Sequence, residues 1–107
     1  MSKKKNSINV DDSFWIKVKD LLQKKLDENK NALNSGTIEG VQHFLDHDEY
    51  EMAYEGLLLD LMELNDLSYN ICCDDYIWLG KELKLDKESV LSSDFWTSYM
   101  QYCKERE

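Results

Sequence analysis

Across 107 residues the chain has no proline and only four glycines. Sandwiches and barrels of β-strands turn roughly every 8–12 residues and set Gly and Pro at those turns. A sequence so poor in both is expected to be built from helices. Hydrophobic residues are 42% and charged residues 33% of the chain, enough apolar surface to offset chain entropy and to argue against disorder. The length suits one core and not two. The expected fold is therefore all-α: a single compact bundle of about five helices over residues 11–107, preceded by a flexible basic segment over residues 1–10.

Apolar spacing places the helices. Asp12 or Ser13 can cap a first helix carrying Phe14, Trp15, Val18, Leu21, Leu22 and Leu26 on one stripe and ending near Asn29 to Asn34. Ser35-Gly36-Thr37 reads as a break and a new cap, followed by a short helix through Ile38, Val41, Phe44 and Leu45. Asp48 and Glu51 have the spacing of a capping box, which predicts a third helix over residues 49–64. Its face of Tyr50, Tyr54, Leu57, Leu58 and Leu61 should pack against the first and last helices. The opposite face mixes Glu55, Glu63 and Asp66 with Met52, Gly56 and Leu59, where an ordinary amphipathic helix would be uniformly polar. Either another element, the fourth helix first of all, covers that face or a partner does. After a loop at residues 65–70, Asp74 can cap a fourth helix through Ile77, Gly80 and Leu83. Residues 86–93 connect it to a last helix bearing Phe95, Trp96, Tyr99, Met100 and Cys103. Trp15, Trp96, Leu57 and Leu61 are assigned to the core.

Charge is the most informative feature for function. The formal net charge is −9, and residues 35–80 hold eleven acids and no Lys or Arg. Such an excess of anions opposes direct nucleic-acid binding, which needs cations to displace condensed counterions. No stretch reaches the ~18 apolar residues of a membrane span, and Met1-Ser2-Lys3-Lys4-Lys5-Asn6-Ser7 leads into no apolar signal core. The expectation is a cytoplasmic protein without membrane contact. Cys72, Cys73 and Cys103 make no disulfide framework and are expected as buried thiols in a reducing compartment.

Few residues have a spacing suited to catalysis or metal binding. His43, His47 and Glu51 stand four apart, a spacing that gathers metal ligands on one helix face, but the zincin pattern needs Glu where Phe44 stands. Asp74-Asp75 and the carboxylates of residues 46–51 could hold Mg²⁺ or act as acid and base, yet residues 35–80 supply no cation to hold a phosphate and no phosphate loop is present. No catalytic residue, metal or cofactor is expected. Solubilising surfaces intersperse both signs of charge, so the total exclusion of Lys and Arg points to a basic partner.

Three segments carry a family resemblance: Asp46-His47-Asp48-Glu49-Tyr50-Glu51-Met52-Ala53-Tyr54-Glu55-Gly56-Leu57, then Leu79-Gly80-Lys81-Glu82-Leu83-Lys84-Leu85-Asp86-Lys87-Glu88-Ser89-Val90, then Asp94-Phe95-Trp96. Over roughly residues 38–96 the chain resembles small helical immunity proteins of contact-dependent growth inhibition and related polymorphic toxin systems, including the MafI-like group. The resemblance implies a non-enzymatic bacterial protein that binds and neutralises the C-terminal toxin domain delivered by a neighbouring cell. Many such toxins are basic nucleases, some cleaving tRNA, so carboxylates can stand where phosphates would sit, in a complex of one monomer with one toxin. Within that picture Asp46, Asp48, Glu49, Glu51, Glu55, Glu63, Asp66, Asp74 and Asp75 supply the field. Met52, Leu59 and Tyr69, with Tyr76 as a further candidate, supply apolar anchors. Reversing Glu55 and Glu63 to Lys is expected to leave the fold intact and slow association. Two other readings stand beside this one: an acidic adaptor or nucleic-acid mimic acting on another basic host protein, and a metal-dependent hydrolase using His43 and His47.

Overall fold

The third helix is the element around which the others assemble. In the computed structural model, which describes residues 12–64 and 71–105, five helices follow one another: α1 (Asp12–Glu28), α2 (Ser35–Asp46), α3 (Tyr50–Leu64), α4 (Asp74–Glu82) and α5 (Phe95–Glu105). No strand occurs among the described residues, and the all-α bundle expected from the sequence is present. The basic segment 1–10 and the loop 65–70 lie outside the described residues. α3 packs most extensively on α2 and also meets α1 and α5. Among the described residues no helix is long and apolar enough to cross a membrane.

The chain turns between α2 and α3 through a Schellman motif. Glu49 N–H donates to Phe44 O at 2.8 Å and Asp48 N–H to Leu45 O at 3.2 Å, with Asp48 in the left-handed region at φ 59°. This satisfies the last carbonyls of α2 and reverses direction, so the start of α2 lies against the end of α3. There the Thr37 hydroxyl donates to Asp60 Oδ2. The capping-box expectation is thereby revised: Asp48 closes α2, its Oδ1 accepts the Tyr50 hydroxyl at 2.8 Å, and Glu49 O accepts the first bond of α3 from Ala53 N–H at 3.0 Å. The cap of α2 is likewise Asn34, whose Oδ1 accepts Thr37 N–H at 2.8 Å, and not a residue of 35–37. α4 ends by the same device, with Leu85 N–H on Gly80 O at 2.9 Å and Lys84 at φ 65°.

The core joins Val18, Leu22 and Leu26 of α1, Val41 and Leu45 of α2, the α3 face, and Phe95 and Tyr99 of α5. Tyr50, Tyr54, Leu57, Leu58 and Leu61 are all buried, as their spacing predicts. Trp15 and Trp96 pack at its edge. Buried phenols find backbone acceptors, as buried polar groups must. Tyr54 donates to Tyr76 O at 2.6 Å, Tyr76 to Leu21 O at 3.1 Å, and Tyr99 to Ile71 O. Burial raises the pKa of each above the ordinary phenol value, Tyr76 to about 12. One glycine is required by close approach. A Cβ on Gly80 would stand 2.6 Å from Tyr54 Oη and 2.8 Å from Trp96 Cη2, so α4 crosses this aromatic cluster where it has no side chain.

Cys72 and Cys103 form a disulfide, with Cα atoms 5.4 Å apart, and only Cys73 among the described cysteines is a free thiol. This corrects the expectation of buried thiols and removes the cysteine argument for a reducing compartment. The pairing joins residues 31 apart in sequence, a proximity created by α5 folding back on the start of α4, which local periodicity does not encode.

Candidate partner-binding surface

The mixed face of α3 divides into two parts. Its middle is covered from within: Glu55 is fully buried, and its carboxylate is the acceptor for three consecutive backbone donors. Val90 N–H donates to Oε1 at 2.9 Å, while Leu91 N–H at 2.9 Å and Ser92 N–H at 2.6 Å donate to Oε2. A carboxylate offers acceptors only, and three converging N–H groups form a nest suited to it. The connector thus clamped lies over Gly56, where an added Cβ would be 3.5 Å from Leu91 Cδ1. The assignment of Glu55 to a partner-facing acidic surface is corrected, and so is the expected tolerance of Glu55→Lys, because an ammonium would face those three donors. The element covering this face is the connector, not α4.

One turn beyond Glu55 the face opens. Leu59 and Met62 of α3 and Tyr102 of α5 form the floor of a groove of about 680 Å³ between the two helices. Asp60, Glu63 and Glu105 stand along it with Thr97, Ser98 and Gln101, and among the described residues no Lys or Arg lines it. Asp60 accepts from Thr37, Glu105 accepts from Gln101 Nε2 at 3.1 Å, and Glu63 is exposed. An apolar floor with a rim of one sign can hold an apolar side chain flanked by cations.

Of the sequence-derived residues, this groove brings together Leu59 and Glu63. The others are placed elsewhere. Asp46 is exposed at the end of α2, where it accepts from Gln42 Nε2 at 3.0 Å. Glu49 is exposed, and Asp48, Glu51 and Met52 are half-buried around the α2–α3 turn. Glu51 and Glu63 are separated along α3 by roughly 18 Å at 1.5 Å per residue. Asp74 and Asp75 are exposed in the first turn of α4, where carboxylates complement the helix dipole. Tyr76 is buried and bonded to α1, which removes it as an anchor. Asp66 and Tyr69 lie outside the described residues. The carboxylates therefore form separate groups, not one continuous sheet of charge. Sequence reasoning missed the α5 side of the groove: Thr97, Ser98 and Gln101 carry no charge or apolar signal, and Tyr102 and Glu105 are not part of the apolar stripe of Phe95, Trp96, Tyr99, Met100 and Cys103.

The rings of His43 and His47 are 4.2 Å apart, with His47 Nδ1 at 2.8 Å from His43 O. Among the described residues no group of three or more His, Cys, Asp or Glu side chains is placed to hold a metal ion. No protein-family model, no curated protein and no solved structure matches this chain.

Proposed function

We propose that this chain is an immunity protein: a non-enzymatic bacterial inhibitor that binds a cationic toxin domain one to one and blocks it by occupation. The observation that carries the reading is the groove between α3 and α5, with Leu59, Met62 and Tyr102 as its floor, Asp60, Glu63 and Glu105 beside them, and no cation lining it among the described residues. Well-packed apolar contacts supply most of an interface's affinity. Flanking carboxylates steer a basic partner and speed its capture, which suits an inhibitor that meets a toxin already active. The exclusion of Lys and Arg from residues 35–80 supports the same direction of charge, as does the resemblance of the Asp46–Leu57 and Leu79–Val90 segments to immunity proteins.

The test is to purify the chain, mix it with the toxin domain encoded beside its gene, and measure complex formation and residual toxin activity. Stoichiometric inhibition that weakens as salt rises is the expected result. A toxin domain that stays active with micromolar inhibitor refutes the reading.

A further inference from the structure

The lining of the α3–α5 groove has a periodicity that restricts its occupant. Leu59, Met62 and Glu63 recur at i, i+3 and i+4 on α3, and Ser98, Gln101, Tyr102 and Glu105 do so on α5. Such rows follow the helix axes. Two adjacent axial rows make a trough, and the body that packs into ridges of this kind at about 8–10 Å between axes is a third helix. From Ser98 to Glu105 the trough runs about 10 Å at 1.5 Å per residue, so it seats about two turns. The floor asks for an apolar stripe, and the carboxylates of Asp60, Glu63 and Glu105 along the rim ask for cations on the flanks. A second copy of this chain brings a net charge of −9 to the same rim, and a nucleic acid or an anionic lipid surface meets it with like charge.

We infer that the α3–α5 groove is the seat for about two turns of a short amphipathic basic helix of a partner protein. The inference deepens the inhibitor reading by naming the structural element of the toxin domain that is captured. The occupant lays one apolar row on Leu59, Met62 and Tyr102 and sets Lys or Arg against Glu63, Glu105 and Asp60.

The experiment uses the whole chain labelled with ¹⁵N and a synthetic peptide of about four turns, with leucines at i, i+3 and i+4 and lysines elsewhere. A matched peptide carries serine in place of each leucine. Saturable shifts confined to the amides of residues 59–63 and 97–105, with a gain of peptide helicity, are expected from the leucine peptide and not from the serine peptide. Glu63→Lys and Ser98→Lys, both at exposed positions, should each weaken binding about tenfold while leaving the remaining spectrum in place. Shifts centred on residues 46–51 or 74–75, equal binding of the serine peptide, or no saturation at millimolar peptide overturns the inference. Because no toxin is used, a seated peptide beside an uninhibited toxin would refute the immunity reading and leave the helix seat standing.

Discussion

Replacing Glu55 by Gln changes one oxygen to an NH₂ group inside the clamp that holds residues 90–92, and the consequence can be worked from the three bonds. The amide oxygen does best where Oε2 stood, keeping the Leu91 and Ser92 donors at 2.9 and 2.6 Å. Its nitrogen then faces Val90 N–H, which had donated to Oε1 at 2.9 Å, so two donors point at one another. A donor left without its partner costs about 1–3 kcal/mol, and two retained bonds lose the excess of a charged acceptor over a neutral one, about 1 kcal/mol each. Removing a carboxylate from a fully buried site returns part of this. The net loss expected is about 2 kcal/mol, a large share of the ~5–15 kcal/mol that holds a domain of this kind together. Urea denaturation of the two proteins measures it, and amide exchange locates it, because Val90, Leu91 and Ser92 should lose protection ahead of α3. A loss below about 0.5 kcal/mol, with unchanged exchange at those three amides, would refute the clamp.

Gly80→Ala should cost about 1–3 kcal/mol by overpacking, since its methyl group meets Trp96 and Tyr54 at 2.8 and 2.6 Å; thermal denaturation checks it. Reducing Cys72–Cys103 releases a link across 31 residues, which chain entropy equates to about 3–4 kcal/mol, and denaturation with and without reductant in a Cys73→Ser background should show that loss. Alkaline pH should unfold the chain. Tyr54, Tyr76 and Tyr99 have folded pKa values raised by burial above the ordinary phenol value of 10.0, Tyr76 to about 12. The folded state therefore holds protons that the unfolded state releases, and stability is complete below pH 10 and falls as pH climbs from 10 toward 12. The ring NMR signals of these three tyrosines, followed together with helicity, should show their ionisation and unfolding as one transition. Ionisation of any of the three near pH 10 with the helices intact would refute that coupling.

The helices and the core were legible because their signal is local. Val18, Leu22 and Leu26, or Tyr50, Tyr54, Leu57 and Leu61, repeat at the helical period, and burial follows the period. The features that escaped depend on contacts distant along the chain. Glu55 looks like any surface acid until a segment 35–37 residues away delivers three N–H groups to it. Cys72 meets Cys103 only after α5 has docked. Asp48 has the side chain of a cap, whereas its backbone angle decides its role. At the groove, Leu59 and Glu63 were visible because they break the amphipathic pattern of α3. Their counterparts Ser98 and Gln101 were silent, being ordinary polar residues whose importance comes from what lies opposite.

Comparing five of the acids by what the fold does with them sets Glu63 apart. Asp74 and Asp75 lie at a helix N-terminus, where negative charge is favourable. Glu55 holds the connector, and Asp60 ties α3 to α2 through Thr37. Glu63 stands in the last turn of α3, a helix with no basic residue in that turn, so it faces the negative end of the dipole while exposed to solvent. An anion there costs about 0.3–1 kcal/mol, and Glu63→Lys should raise stability by a similar amount. If Glu63 serves capture of a cationic partner, the same variant should protect cells less well, because reversing a charge at an interface slows association. A protein that becomes more stable and less protective by one substitution is the result expected of a residue kept for binding. Undiminished protection by Glu63→Lys, measured against the cognate toxin at matched expression, would place the binding surface elsewhere, with the carboxylates around the α2–α3 turn the next to reverse.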